Sequence, residues 1–471
     1  MKRSLILFFV LAGLTMLSLP AAVIVTGNGN ANIRVTEEIL SGNPDAAAGV
    51  TLTVASHWNW HLLWNTEYTV GEENSTKSEL VFSPEFVSWG WEREKKASLQ
   101  FGSNYNSFDT DLFTAQEPGY FGYPKIAYDV VSRASGEEYS ETVRIGDYYD
   151  VYPLSCHISG FSVNYGTYQN ACAYLAKFFG IPTGEDRFTV KVYKNYYDNA
   201  FVSGETLAKS PNVTLVDASA FGRDGFYYTY GLEDTQTQQG VDRGQNTGIF
   251  FFPYDLNQTS IQLDMTKVEK ICEFPPSMIP LQMRLDEEEN YLYLMAKGTD
   301  GYHLFIYRRN NGMALQQEIA LKSGGQEVFC QTSLVPGGIL LTWNDNSFSF
   351  VAKENGQFRH WCSGIFPQTS GGDPAQNPFP RENACFFDGK RLVLSAFENW
   401  QLLCVQLAVY DESGQLYCGR YHNSQDELPG LTLSNRISPQ GARIWAPHSS
   451  WSSGSGDIIV IPIQLSGGTA P

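Results

Sequence analysis

Tyr291-Leu292-Tyr293-Leu294-Met295, then His303-Leu304-Phe305-Ile306-Tyr307, then the turn Arg308-Arg309-Asn310-Asn311-Gly312 decide the fold of this chain. Two short apolar, aromatic-rich runs, separated by a turn and closed by a polar turn ending in glycine, read as paired strands, because a helix needs a longer run at a 3.6-residue period. The unit returns at residues 339–343, 348–352 and 353–356, and again at 392–395, 402–410 and 411–414. Its equivalent leucines Leu294, Leu341 and Leu394 lie 47 and 53 residues apart, and its turn glycines Gly312, Gly356 and Gly414 lie 44 and 58 apart. Blades of a β-propeller repeat at roughly 40 to 50 residues, so the spacing predicts one blade per unit.

Weaker copies lie upstream: Phe226-Tyr227-Tyr228-Thr229-Tyr230 with Ile249-Phe250-Phe251-Phe252, residues 125–131 with the turn 132–136, and residues 188–193. Together with a first unit at 50–82 they predict an all-β chain, a single β-propeller of about seven blades within a range of roughly six to eight. The runner-up is a sandwich followed by a smaller propeller, split near residue 220. Residues 457–465, containing Ile458-Ile459-Val460-Ile461, are expected to supply the closing strand, since the last blade of a ring completes the first. Two polar segments read as inserted loops: residues 363–383, and residues 235–247 (TQTQQGVDRGQNT), the latter as a mobile hairpin loop. A helical insertion is expected near 168–180, where Ala171, Tyr174, Leu175, Phe178 and Phe179 share one helical face before Gly180 and Pro182.

Met1-Lys2-Arg3 precede an uncharged run, residues 4–25, that spans roughly 33 Å as a helix, about a bilayer core. The basic residues stand before this run and none follows until Arg34, which orients the remainder outward. Pro20-Ala21-Ala22 favours a cleaved signal peptide; continuation through Val23-Ile24-Val25 favours a signal anchor. The organisation expected is therefore a signal anchor or signal peptide at 1–25, a linker at 26–48 and an extracytoplasmic propeller domain at 49–471. The chain is then a single-pass protein of the cell membrane with its C-terminal domain outside, or is secreted after cleavage.

A net charge of −18, with no basic cluster longer than two residues, excludes a nucleic-acid partner. It also disfavours anionic lipid, so membrane contact is expected through the N-terminal segment only. The eight cysteines are scattered and form no C-x-x-C pair, and a chain this long buries its own core, so most read as small buried hydrophobes. A turn at 411–414 that pairs Tyr410 with Gln415 sets Cys404 opposite Tyr421 and Cys418 opposite Leu407, so these two cysteines are not expected to meet.

His57-Trp58-Asn59-Trp60-His61, with Trp64 close by, is the densest chemical cluster. On a strand the two histidines stand roughly 13 Å apart and share no ion, so no metal is expected there. Trp58, Trp60 and Trp64 are the candidate ligand-binding residues, as stacking surfaces for a sugar or a peptide; the competing reading is packing between blades. Asp109-Thr110-Asp111 and Asn344-Asp345-Asn346 place oxygens at alternate positions as a calcium loop does, but lack its glycine and distal glutamate and read as solvated turns.

There is no G-x-S-x-G elbow, no P-loop and no dinucleotide fingerprint, so no catalytic residue and no cofactor is identified. Residues 352–361 lack the full A-x-D-x-x-T-G-x-x-x-W pattern of the quinoprotein blade, and no WD dipeptide, kelch or sialidase box occurs; no family's functional residues carry over. The function expected is an extracytoplasmic binding or scaffolding module with an unknown protein or glycan ligand. The alternative is an extracellular propeller hydrolase acting on glycans, because propeller enzymes assemble sites from single residues that leave no local motif.

Overall fold

A computed structural model describes residues 6, 8–18, 35–58, 62–72, 77–82, 98–103, 107–113, 124–152, 154–159, 162–163, 168–194, 200–207, 213–255, 262–263, 265–286, 288, 290–321, 328–366, 385–399, 402–423, 458–460 and 464–467. The chain divides into two compact units, Met1–Arg93 with Glu327–Pro471, and Glu94–Gln326.

The fold is all-β, dominated by antiparallel sheets of four or more strands. In the second unit the strands Ile279–Leu285, Tyr291–Lys297, Tyr302–Arg308 and Ala314–Ala320 form one sheet in chain order. The apolar pair that opens the sequence reading supplies its two middle strands, with Leu294 opposite Phe305. Both middle strands are buried along nearly their whole length, whereas Ala314–Ala320 is mostly exposed or half-buried. Continuous rather than alternating hydrophobicity follows, because a strand covered on both faces has no solvent side to present.

The first unit repeats this meander twice in chain order. One copy is Phe329–Val335, Gly338–Trp343, Ser347–Glu354 and Gln357–Ile365. The other is Cys385–Phe387, Leu392–Asn399, Leu402–Asp411 and Gly414–Asn423. Leu294, Leu341 and Leu394 are fully buried at 0% exposure, and each contributes about 2 kcal/mol of apolar burial. The turn after the third strand needs a left-handed residue: Gly356 has φ 78° behind Asn355 at φ 51°, the Asn-Gly pairing that matches strand twist in tight hairpins. A fourth meander, Val213–Phe221, Gly225–Asp234, Ile249–Asp255 and Glu269–Cys272, belongs to the second unit.

The N-terminal unit at 50–82 forms the strands Val50–Trp58, Leu62–Thr69 and Lys77–Phe82. The expected closing strand joins it: Ile458–Val460 pairs antiparallel with Val50–Trp58, setting Ile458 opposite Trp58, and Gln464–Gly467 continues along the same strand. The segment read as a linker is corrected. Within it Val35–Gly42 pairs with Gly414–Asn423 as a fifth strand, and the short helix Pro44–Ala47 buries Ala47 completely. Arg391 holds this connection by donating Nη1 to the carbonyls of Ala46 and Ala48 at 2.9 and 3.1 Å. The small and polar residues around Val35-Thr36-Glu37-Glu38-Ile39 hide its strand character from a reading by composition.

Three further expectations change. Residues 125–131 are not a strand but part of the helix Pro124–Arg133, in which Ile126, Ala127 and Val130 are buried and Lys125 and Tyr128 are exposed, the period of a helix face. Asp109 and Asp111 lie within the strand Ser107–Phe113 rather than in a turn. Cys404 faces His422 and Cys418 faces Ala408, because a register shift after Val409 moves the ladder by one position although Tyr410 still pairs with Gln415. As expected, the two cysteines do not meet; Cys272, Cys330, Cys362, Cys385 and Cys418 are free thiols, three of them buried.

The helix Tyr168–Phe179 has the bounds its periodicity predicts, and it packs by Phe179 on Phe250 and Tyr228, at ring separations of 4.5 and 5.4 Å. Of the second insertion, residues 363–365 end the strand Gln357–Ile365 and residues 367–384 lie outside the described residues. At the N-terminus residues 8–18 are helical and expose Phe8, Phe9, Leu14 and Leu17. Among the described residues no helix is long and apolar enough to cross a membrane.

Candidate functional site

Residues 235–247 link the strands Gly225–Asp234 and Ile249–Asp255 and carry a network of side-chain hydrogen bonds of their own. Asp234 starts it by accepting the backbone N–H groups of Gln236 and Thr237 on Oδ1, at 2.8 and 3.1 Å. Gln245 is buried; its Oε1 accepts from Arg243 N, and its Nε2 donates to the carbonyls of Val241 and Pro276. Thr247 Oγ1 donates to Phe274 O at 2.8 Å, and Asn246 Nδ2 to Phe178 O at 3.0 Å.

The strongest tie is electrostatic. Arg243 reaches across to Asp186, 57 residues earlier, with Nη2 2.5 Å from Oδ2. Both side chains are nearly enclosed, at 12% and 3% exposure, so the pair is desolvated and its loss leaves a buried charge. Tyr152 donates its hydroxyl to the same carboxylate, and the Arg243 guanidinium lies 5.7 Å from the Tyr152 ring centre. Burial, then the neighbouring Asp186, pushes the Tyr152 phenol well above its ordinary value, so it stays protonated and can donate to Asp186.

The far end of this segment forms one wall of an open cleft of about 490 Å³ within the second unit. Asn246 and Thr247 stand beside Lys270, Glu273 and Phe274, and the opposite wall comes from the neighbouring meander through Phe305, Tyr307, Leu315 and Glu318. Phe274 and Phe305, both nearly fully buried, meet edge to face at 5.8 Å. Lys270 Nζ donates to Asn246 Oδ1 at 3.0 Å and pairs with Glu273 at 2.6 Å. Near this wall Cys272 is inert: burial pushes its thiol up to about 12, leaving almost no thiolate at neutral pH.

Behind Glu318 lies His303, whose side chain is only 7% exposed. Its Nδ1 is 2.9 Å from Glu318 Oε1 and its Nε2 3.0 Å from Asp300 Oδ1. The hydrogen bond from His303, with the Asp300 backbone amide, holds the Asp300 carboxyl below its ordinary value. The cleft thus offers an ammonium, carboxylates and an amide, polar groups that can both donate to and accept from a ligand.

The tryptophans singled out by sequence belong to the first unit. Trp58 and Trp64 lie on the two strands of one hairpin, Trp58 opposite Leu62 and Trp64 opposite Ser56. Trp60 lies outside the described residues. His57 is opposite Leu63, while His61 lies outside the described residues. The turn at Asn344-Asp345-Asn346 is an ordinary one, with Asp345 Oδ1 accepting Ser347 N at 3.0 Å and Asn346 at φ 62°. Among the described residues no group of three or more acidic, histidine or cysteine side chains is arranged to hold a metal ion. A serine–histidine contact exists at Ser363, 2.7 Å from His360 Nε2, on the strand Gln357–Ile365. Burial lowers the pKa of that ring, and among the described residues no carboxylate orients its other nitrogen as a catalytic triad requires.

Sequence reasoning flagged residues 235–247 but missed Asp186, Lys270, His303 and Glu318. The signal for the first was only a lone aspartate after Gly184-Glu185, and its partner is set by the fold.

No family model matches the chain, and no curated protein matches it. Among solved structures it is similar to a putative 6-phosphogluconolactonase from Bacteroides uniformis, at 10% identity over 78% of this chain and 94% of that one, with a TM-score of 0.28. A periplasmic gluconolactonase of Pseudomonas aeruginosa shares 12% identity over 78% and 81% of the two chains, with a TM-score of 0.23. A protein from Lactobacillus plantarum shares 12% identity over 49% of this chain, with a TM-score of 0.26; the chain spans 62% of that protein's length. Likenesses of this size transfer neither residues nor activity.

Proposed function

We propose that the chain is an extracytoplasmic binding or scaffolding module, a β-propeller that holds a glycan or protein ligand in the cleft beside residues 235–247. The observation that carries this reading is the set of contacts that ties that segment to its surroundings. A polar run with no large apolar residue is held by a desolvated ion pair and buried amide bonds, and its end at Asn246 and Thr247 lines the cleft. Holding a loop this firmly costs conformational entropy, and preorganised recognition is what such an outlay supports. The ring is supported by meanders in chain order and by the C-terminal strands that complete the N-terminal sheet. The exposed apolar helix at 8–18 and the basic residues before it support export, with the domain outside the membrane.

The test is to incubate the purified full chain with a panel of cell-wall and host glycans and to follow retention and product release together. Retention without products, lost in Lys270→Ala and kept in Trp58→Ala, supports the cleft. Loss in Trp58→Ala alone moves the site to the tryptophan hairpin of the first unit. Turnover abolished by Glu318→Gln replaces the module with the glycan hydrolase. A reporter active only outside the cytoplasm, fused at the C-terminus, checks topology, and silence despite good expression rejects it.

A further inference from the structure

Gln357–Ile365 is the last strand of its meander, and its pairing with Ser347–Glu354 slips once. Phe350 faces Cys362 while Val351 faces His360, so Trp361 is the extra residue of a β-bulge. In a regular strand side chains alternate between the two faces, and His360 and Ser363, an odd number of residues apart, would project to opposite sides. The bulge brings them to the same side: Trp361 and Cys362 are both buried, whereas His360 and Ser363 are both exposed. His360 Nε2 then lies 2.7 Å from Ser363 Oγ. Ser349, opposite Ser363 on the neighbouring strand and only 4% exposed, sets its hydroxyl 2.8 Å from the same oxygen.

A hydroxyl carries one proton, so the two contacts fix each other. When the ring holds its proton on Nδ1, Nε2 accepts from Ser363, and Ser349 is then the donor to Ser363 Oγ. Burial lowers the pKa of the ring, which keeps it in the neutral form that can take a proton. Ser363 thus stands between a base for its proton and a buried hydroxyl that stabilises the negative charge left behind, the surroundings of an activated nucleophile. Among the described residues no carboxylate completes a triad, so the gain is that of the base alone, roughly 100-fold, the low end of general-base catalysis.

We propose that Ser363 is an acylation site for small activated esters, with His360 as its base and Ser349 as its hydroxyl donor. Ser363 Oγ attacks the ester carbonyl carbon as His360 Nε2 takes the hydroxyl proton; the bond to the leaving oxygen breaks, and that oxygen departs with the proton as the free alcohol or phenol. The site belongs to the first unit and the cleft to the second, so acylation and glycan binding fail separately. The probe is para-nitrophenyl acetate, given to the full chain at neutral pH. Release of the nitrophenol is followed by absorbance, and the acetyl group is located by mass spectrometry of peptides after an acid quench. Acetylation of Ser363 is expected at about 100 times the rate seen in His360→Gln. Ser349→Ala should slow it about tenfold, the loss of one hydrogen bond to a developing charge, and Ser349→Thr, which keeps the hydroxyl, should restore most of the rate. Unchanged denaturant midpoints in His360→Gln and Ser349→Ala separate these losses from unfolding. An acetyl group absent from Ser363, a rate unchanged in His360→Gln or in Ser349→Ala, or a rate not restored in Ser349→Thr overturns the proposal.

Discussion

In the meander at 279–320, Leu292, Leu294, Leu304 and Ile306 are all fully buried, and order comes from apolar area removed from water. In residues 235–247 the buried side chains are Gln245 and Thr247, and order comes from amide bonds and the Arg243–Asp186 pair. Both regions belong to the same unit, yet their stability draws on opposite physics. Apolar burial is non-directional and tolerates small errors of position, whereas a desolvated ion pair acts at one geometry and turns unfavourable when half of it is removed. The scaffold is therefore expected to yield gradually to substitution and the loop abruptly.

The largest expected effect breaks the scaffold side of that contrast. Leu294→Ala should cost about 4 kcal/mol, transfer plus cavity, read as a shift of the denaturant midpoint at unchanged slope. Leu315→Ala, at a position 50% exposed, should change stability by less than about 0.5 kcal/mol. Equal effects at the two sites would mean that the middle strands are not the core.

The loop side is broken by Arg243→Ala, expected to cost roughly 3 kcal/mol because Asp186 is left buried without its cation. The same variant should speed hydrogen exchange in residues 235–247 while leaving 291–308 protected. The pair Arg243→Met with Asp186→Leu should recover much of the loss, since replacing both charges removes the unpaired one. Unchanged loop exchange in Arg243→Ala would show that the amide bonds suffice.

That contrast also sets what the sequence discloses. Residues 291–295 and 303–307 are legible as strands because burial on two faces writes itself into consecutive apolar residues, and the helix Tyr168–Phe179 because one buried face writes itself into a period. The helix Pro124–Arg133 was misread as a strand because its run Ile126-Ala127-Tyr128-Asp129-Val130-Val131 is short and satisfies both templates. The strand Val35–Gly42 went unseen because its partner, Gly414–Asn423, lies at the far end of the chain. The site is less legible still. Asp186 with Arg243 and His303 with Glu318 are meetings made by the fold, and neither spacing nor composition encodes them.

Turn geometry sharpens the comparison at smaller scale. Gly356, at φ 78°, should cost about 1 to 2 kcal/mol when changed to alanine, the penalty of a β-carbon in the left-handed region. Asparagine at the same position should recover part of it, because asparagine tolerates that conformation. A thermal melt of the two variants decides; equal losses would place the cost in packing rather than in the backbone.

The smallest effect joins the two kinds of order in one turn. Asp411 closes the third strand of the last meander by accepting on Oδ1 the hydroxyl and amide of Ser413, at 2.5 and 2.7 Å, and the amide of Gly414 at 3.1 Å. The hydrogen bond from the Ser413 side chain, then those from the backbone amides, hold its carboxyl below the ordinary value. A carboxylate with a depressed folded-state value contributes stability that is fully present above its unfolded value and is lost as pH falls through the folded one. Asp411→Ala should therefore cost about 1 kcal/mol near neutrality, the net worth of a short set of exposed hydrogen bonds. As pH falls below the ordinary carboxyl range the gap between variant and unmodified chain should narrow, because protonating Asp411 weakens in the unmodified chain the contacts that the variant already lacks. Denaturant midpoints of the two proteins at a series of pH values read this directly. A gap that stays constant into acid would mean that the turn is held by Gly414 and its register, and that the carboxylate contributes nothing to it.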